Sequence, residues 1–103
     1  MKLSRKQRDF NLAIAKLIIW GKKQGYEFTW GDAAAKSGHI EGSFHYKRLA
    51  VDLNLFIDDV YQTSTEAHRP IGEKWESMGG TWGGRFRNKD GNHYSWGESR
   101  GIS

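Results

Sequence analysis

Residues 49–56 read LAVDLNLF, and this alternation decides the fold. Leu49, Val51, Leu53 and Leu55 fall on one face of an extended chain, and Ala50, Asp52, Asn54 and Phe56 on the other, because successive strand side chains point to opposite sides. The pattern is that of a half-buried strand whose aliphatic face meets a core. Asp52 then points away from that core. The Asp58-Asp59 pair that follows reads as a turn into Val60-Tyr61-Gln62, the hairpin partner.

Upstream of this strand, Phe10, Ala13, Ile14, Leu17 and Ile18 recur at helical spacing and form one apolar stripe. Ser4 with Gln7 predicts a capping box at the helix start, and Gly25 predicts its C-terminal stop. Residues 26–30, YEFTW, alternate as a short strand. Residues 31–42 are small and polar and read as a loop, with a helical turn around Ala33, Ala34 and Ala35. Downstream, Ser64 or Thr65 caps a second helix that runs through Trp75 towards Met78, with Pro70 expected in its first turn or just before it. The tail from Gly79 is rich in glycine and aromatics and is expected to hold loops and one short strand near Asn92 to Trp96. Trp75, Trp82 and Trp96 read as core or cleft walls, with Trp82, among paired glycines, the candidate for a cleft. No repeat, low-complexity tract or linker interrupts the chain, so residues 1–103 are expected to form a single α+β domain, an antiparallel sheet flanked by helices.

The composition, 37% hydrophobic and 14% aromatic with five tryptophans, is too rich in large apolar groups for a disordered chain. No cysteine is present, which excludes a disulfide framework and a thiolate zinc site. A metal would have to be held by carboxylates and by the four histidines, His39, His45, His68 and His93. The net charge of +4 suits an anionic partner such as nucleic acid, phospholipid headgroups or a cell wall, without choosing among them. The longest apolar run, Leu17 to Trp20, is far too short to span a membrane, and no export signal is visible at the N-terminus, so a soluble protein is expected.

His45, Asp52 and His93 could supply three protein ligands to a catalytic zinc, which keeps a fourth position for water. His93 would have to come from a strand neighbouring that of Asp52. The same spacing also fits a solvent-exposed His45, an Asp52 spent on a backbone hydrogen bond, and a His93 packed in an aromatic strand. Spacing alone leaves both readings open.

Ser43-Phe44-His45 followed by Ala50-Val51-Asp52 resembles the S-x-H-x-x-G-x-A-x-D signature of the zinc D-alanyl-D-alanine carboxypeptidases and dipeptidases, a family that includes phage L-alanyl-D-glutamate endopeptidases. Asp90-Gly91-Asn92-His93 is similar to that family's second motif, an acidic residue three positions before the last ligand. The stretches LAVDLNLF, STEAHRPIGEKWES and GGTWGGRF read like small endolysin-type members, so the likeness runs from about the first helix to Trp96. It implies a small hedgehog/DD-peptidase-like domain, zinc ligands at His45, Asp52 and His93, and a general base at Asp90. Ser43 matches the signature serine and is implied to contact substrate or to orient the site. Two departures stand out: Arg48 replaces the signature glycine, and the arginine of the loop after the first strand is missing, leaving Lys36 or Arg48 as replacement charges at the substrate. A lysine does not reproduce the planar, two-pronged geometry of arginine.

The resemblance implies a monomeric zinc peptidase for bacterial peptidoglycan stem peptides, a phage or prophage endolysin made in the host cytoplasm and acting at the cell wall, in the periplasm. No nucleic-acid partner is expected on this reading. The competing expectations are a D-alanyl-D-alanine carboxypeptidase, and a basic binding module that keeps the fold without the chemistry.

Overall fold

The computed structural model describes residues 2–31 and 47–97. In chain order these form helix α1 (Leu3–Lys23), strands β1 (Tyr26–Trp30), β2 (Ala50–Ile57) and β3 (Val60–Gln62), and helix α2 (Thr65–Ser77). Strand β4 (Thr81–Trp82), one 3₁₀ turn (Gly83–Arg85) and strand β5 (His93–Ser95) complete the elements of the described residues. Two helices and a five-stranded antiparallel sheet make this the α+β architecture that the alternation predicts.

β2 is the hub of the sheet. On one edge β1 pairs antiparallel along Leu53–Ile57. The other edge is divided, with β5 pairing to Ala50–Asp52 and β3 to Leu55–Ile57. β4 extends the sheet beyond β5. The β2–β3 turn is Asp58-Asp59, with φ of 51° and 65°, the left-handed pair whose twist matches that of a two-residue hairpin.

Val51, Leu53 and Leu55 are fully buried together with Tyr94 of β5 and Trp82 of β4. Onto this face α1 packs Phe10, Ile14 and Leu17, and α2 packs Ile71 and Trp75. Each such aliphatic side chain removed from water contributes roughly 1.5–3 kcal/mol, which fixes which face of β2 turns inward. Gly72 lets α2 approach: a Cβ there would lie 2.1 Å from the Trp82 ring. Trp82 is therefore a core residue and not a cleft wall, because the glycines around it bring the backbone close to the ring and seal it.

Three other local expectations are corrected. The Ser4–Gln7 capping box does not form, because α1 already starts at Leu3 and the Gln7 amide donates to the Lys47 carbonyl instead. Pro70 lies in the second turn of α2, not its first, on the exposed side of a helix whose other side buries His68, Ile71 and Trp75. That burial offsets the lost backbone bond. The tail contains β4 and the 3₁₀ turn as well as the expected strand, and a two-residue strand carries no readable alternation. The other helix ends agree: Gly25 follows α1 at φ +94°, and Ser64 caps α2 by accepting from Ala67 N–H at 3.1 Å. The expected turn at Ala33–Ala35 lies outside the described residues. No helix among the described residues is long and apolar enough to cross a membrane.

Candidate metal centre

The register of β2 and β5 sets Asp52 directly opposite His93. Directly opposed residues project from the same face, with Cβ atoms about 4.5–5.5 Å apart. Since Val51 and Tyr94 form the neighbouring pair and face the core, Asp52 and His93 must face the other way. His93 Nδ1 lies 3.6 Å from Asp52 Oδ1 and 3.9 Å from Asp90 Oδ2. The three side chains grade from closed to open, at 1% exposure for His93, 19% for Asp52 and 41% for Asp90.

The loop that delivers Asp90 is held at several points. Asp90 N–H donates to the Gly83 carbonyl at 2.9 Å, and His93 N–H donates to the Asp90 carbonyl at 3.1 Å. Gly83 is required for this closure, since a Cβ on it would stand 2.2 Å from the Asp90 carbonyl oxygen and 2.8 Å from His93 Cβ. Gly91 plays the same part against α2, where a Cβ would meet Thr65 Cα at 2.6 Å. The indole N–H of Trp82 donates to the Gly91 carbonyl at 2.7 Å, and Leu53 N–H donates to the Asn92 carbonyl at 2.8 Å. Phe86 packs on the His93 ring with centroids 5.4 Å apart. A buried tryptophan and two glycines thus fix the height of Asp90 above the sheet.

Asp52, Asp90 and His93 are brought together, with one ligand atom from each within 4.8 Å of the others. His45, Ser43 and Lys36 lie outside the described residues, as does His39. Arg48 is exposed in the turn that precedes β2, at φ +57°. That left-handed conformation is one glycine adopts without strain, so the signature glycine at this position has a backbone reason.

Two residues beside the centre escaped the sequence reading. His68 of α2 is 2% exposed, and its Nδ1 is 2.8 Å from the Tyr94 hydroxyl. Burial pushes its pKa down to about 4, so the ring is neutral, and burial likewise pushes the Tyr94 phenol up. Lys89 stands next to Asp90, and both line a cavity of about 200 Å³ that His68 also lines. No spacing rule links a helix-face histidine to a lysine twenty-one positions on.

The chemistry of the donor set fits a borderline divalent cation. Zinc bonds of about 2.0–2.2 Å in a tetrahedron place ligand atoms roughly 3.3–3.6 Å apart. The His93–Asp52 separation of 3.6 Å meets this and the His93–Asp90 separation of 3.9 Å lies just above it. All donors are nitrogen or oxygen, as the lack of cysteine requires.

A family model described as D-alanyl-D-alanine carboxypeptidase matches residues 35–96, more than half of the chain. The chain belongs to this peptidase family. The matched segment contains both sequence motifs, from Ser43 through His93, and ends at Trp96, whose backbone N–H donates to the Leu49 carbonyl at 2.9 Å. No curated protein matches the chain. Within a family of metallopeptidases, the Asp52, Asp90 and His93 group is a place where the chain could hold a metal ion.

Proposed function

We propose that this peptidase is zinc-dependent and cleaves peptidoglycan stem peptides at the L-alanyl-D-glutamate bond, acting at the cell wall as a phage or prophage endolysin. The observation that supports it most is the convergence of Asp52, Asp90 and His93 on one sheet face inside the segment matched by the family. His45, Asp52 and His93 hold the metal, which supplies Lewis-acid polarisation to the reacting carbonyl. Asp90, the most exposed of the three, stays out of the ligand set and works as the base. Its carboxylate takes a proton from the attacking water and passes it to the departing amine. His93 is locked by Phe86 and by its register with Asp52, so the donors do not have to reorganise as charge develops. Ser43, Lys36 and Arg48 contact the substrate, with a cation replacing the missing loop arginine. The protein works as a monomer on peptidoglycan, and its positive charge suits an anionic wall.

The experiment is hydrolysis of purified peptidoglycan with metal analysis of the same sample and mass spectrometry of the fragments. About one zinc per chain, activity abolished by chelation and restored by zinc, and new amino termini at D-glutamate support the reading. Full activity in a metal-free sample sinks it. Release of terminal D-alanine instead assigns carboxypeptidase activity, the reading that the description of the matching family favours.

A further inference from the structure

The divided edge of β2 leaves a gap between β5, which ends its pairing at Asp52, and β3, which starts at Leu55. Asn54, whose side-chain amide donates to Thr29 Oγ1 of β1 at 3.3 Å, lies level with this gap, and there the cavity of about 200 Å³ opens. Its walls are polar but nearly uncharged, with Asn54, Gln62, Ser64 and His68 among them. Lys89 is the one cation and Asp90 the one anion among its described lining residues. The neighbouring cations are committed elsewhere, Arg69 to Glu66 and Glu73, and Arg85 to Glu73 and Glu76. Lys89 belongs to none of these pairs, and its electrostatic neighbour is Glu66, whose carboxyl is held below the usual range chiefly by Arg69 and to a lesser degree by Lys89.

We infer that this cavity is the subsite for a carboxylate-bearing substrate residue on the leaving-amine side of the scissile bond, with Lys89 as the anchor for the carboxylate. The inference rests on the peptidase reading above, which supplies the peptide. Asp90 gives the direction: the residue that receives its proton must lie against it, and the cavity opens beside the same side chain. His68 adds a neutral donor. The buried Tyr94 hydroxyl needs an acceptor for its proton, and Nδ1 of the neutral His68 ring provides it, which leaves the other ring nitrogen, Nε2, carrying the hydrogen. A lysine ammonium and an imidazole N–H set among amides and hydroxyls select an anion over its neutral carboxamide, because hydrogen bonds to an ionised acceptor are roughly twice as strong as neutral ones. The start of α2 contributes little, since Glu66 in its first turn offsets the helix dipole.

The test uses the full chain and two pairs of probes. The dipeptide γ-D-glutamyl-L-lysine, with its glutamyl α-carboxyl free or as the carboxamide, mimics the leaving half and is read by shifts of backbone amide resonances. The corresponding peptides extended by L-alanine at the amino end are read by kcat/KM. The free acid should move the Lys89, Gly91 and Asn54 resonances and bind about tenfold more tightly than the amide. The extended acid should be cut about tenfold faster. Lys89→Met should erase both preferences, read as the acid-to-amide ratio within the variant itself, and Lys89→Arg should keep them. Equal binding of acid and amide, shifts that map elsewhere, or a Lys89→Met protein that still discriminates overturns the subsite. Cleavage without discrimination removes the subsite and leaves the peptidase reading standing, whereas discrimination in binding with no cleavage does the reverse.

Discussion

Asp52 and His93 are partners in one antiparallel ladder, with Oδ1 and Nδ1 3.6 Å apart on the face away from the core. Their approach is set by strand register. A slip of one residue would send Asp52 into the aliphatic layer, so the core that holds Val51 and Leu53 inward also holds the pair together.

Metal binding should therefore be coupled to stability. A ligand present at one hundred times its Kd adds about 2.7 kcal/mol to the folded state. Chelation is expected to lower the melting temperature of the wild type, and His93→Ala should abolish both the bound metal and the chelator-sensitive part of the melting curve. Thermal scans with and without chelator, paired with metal analysis, check this.

Gly83→Ala should damage the centre without touching a titratable group. The added Cβ would press on the Asp90 carbonyl and on His93 Cβ, and such overpacking costs about 1–3 kcal/mol. The expected result is at least a tenfold loss of metal affinity in a folded protein, measured by competition with a chromophoric chelator. Metal affinity equal to wild type would show that the loop can move away freely.

His68 should impose an acid-side loss of stability. Its folded pKa of about 4 lies below the ordinary value of 6.5, so between these pH values the unfolded chain binds a proton that the folded chain does not. Stability is therefore retained above pH 6.5, falls as pH drops towards about 4, and levels off below. The span corresponds to about 3 kcal/mol. Denaturant titrations across this range should show the slope in the wild type and lose that component in His68→Gln.

Arg48→Gly should raise stability. A left-handed non-glycine residue costs roughly 1–2 kcal/mol, and the extra freedom of glycine in the unfolded chain returns about 0.5–1 of it. A net gain of up to about 1.5 kcal/mol in chemical denaturation is expected. If peptide turnover also falls, Arg48 contributes to the substrate contact assigned to it above.

The sheet was readable because LAVDLNLF has a period of two and a single apolar face, and the opposite placing of Asp52 followed from the same pattern. Its partnership with His93 was less visible, because register between strands forty residues apart depends on packing that no local motif records. The 3₁₀ turn and β4 are too short to leave a pattern, and their glycines gain meaning only beside the Trp82 ring and the Asp90 carbonyl. His68 carries no local mark of its surroundings in the sequence. Its burial against Tyr94 is a tertiary fact, set by how α2 lies across the core face of β5. The motif containing Ser43 and His45 is legible as sequence, while its placement lies outside the described residues.

The shared edge of β2 also separates two properties that enzymes often have to adjust together. The Asp52–His93 distance belongs to the β5 half of that edge, and the width of the neighbouring gap belongs to the β3 half. Lengthening β3 by one residue towards Asn54, at the expense of the segment before Ser64, would narrow the opening by about 3.3 Å and leave the catalytic register untouched. On the subsite reading above, substrate range is adjustable through the length of β3, a strand that holds none of the proposed ligands or the base.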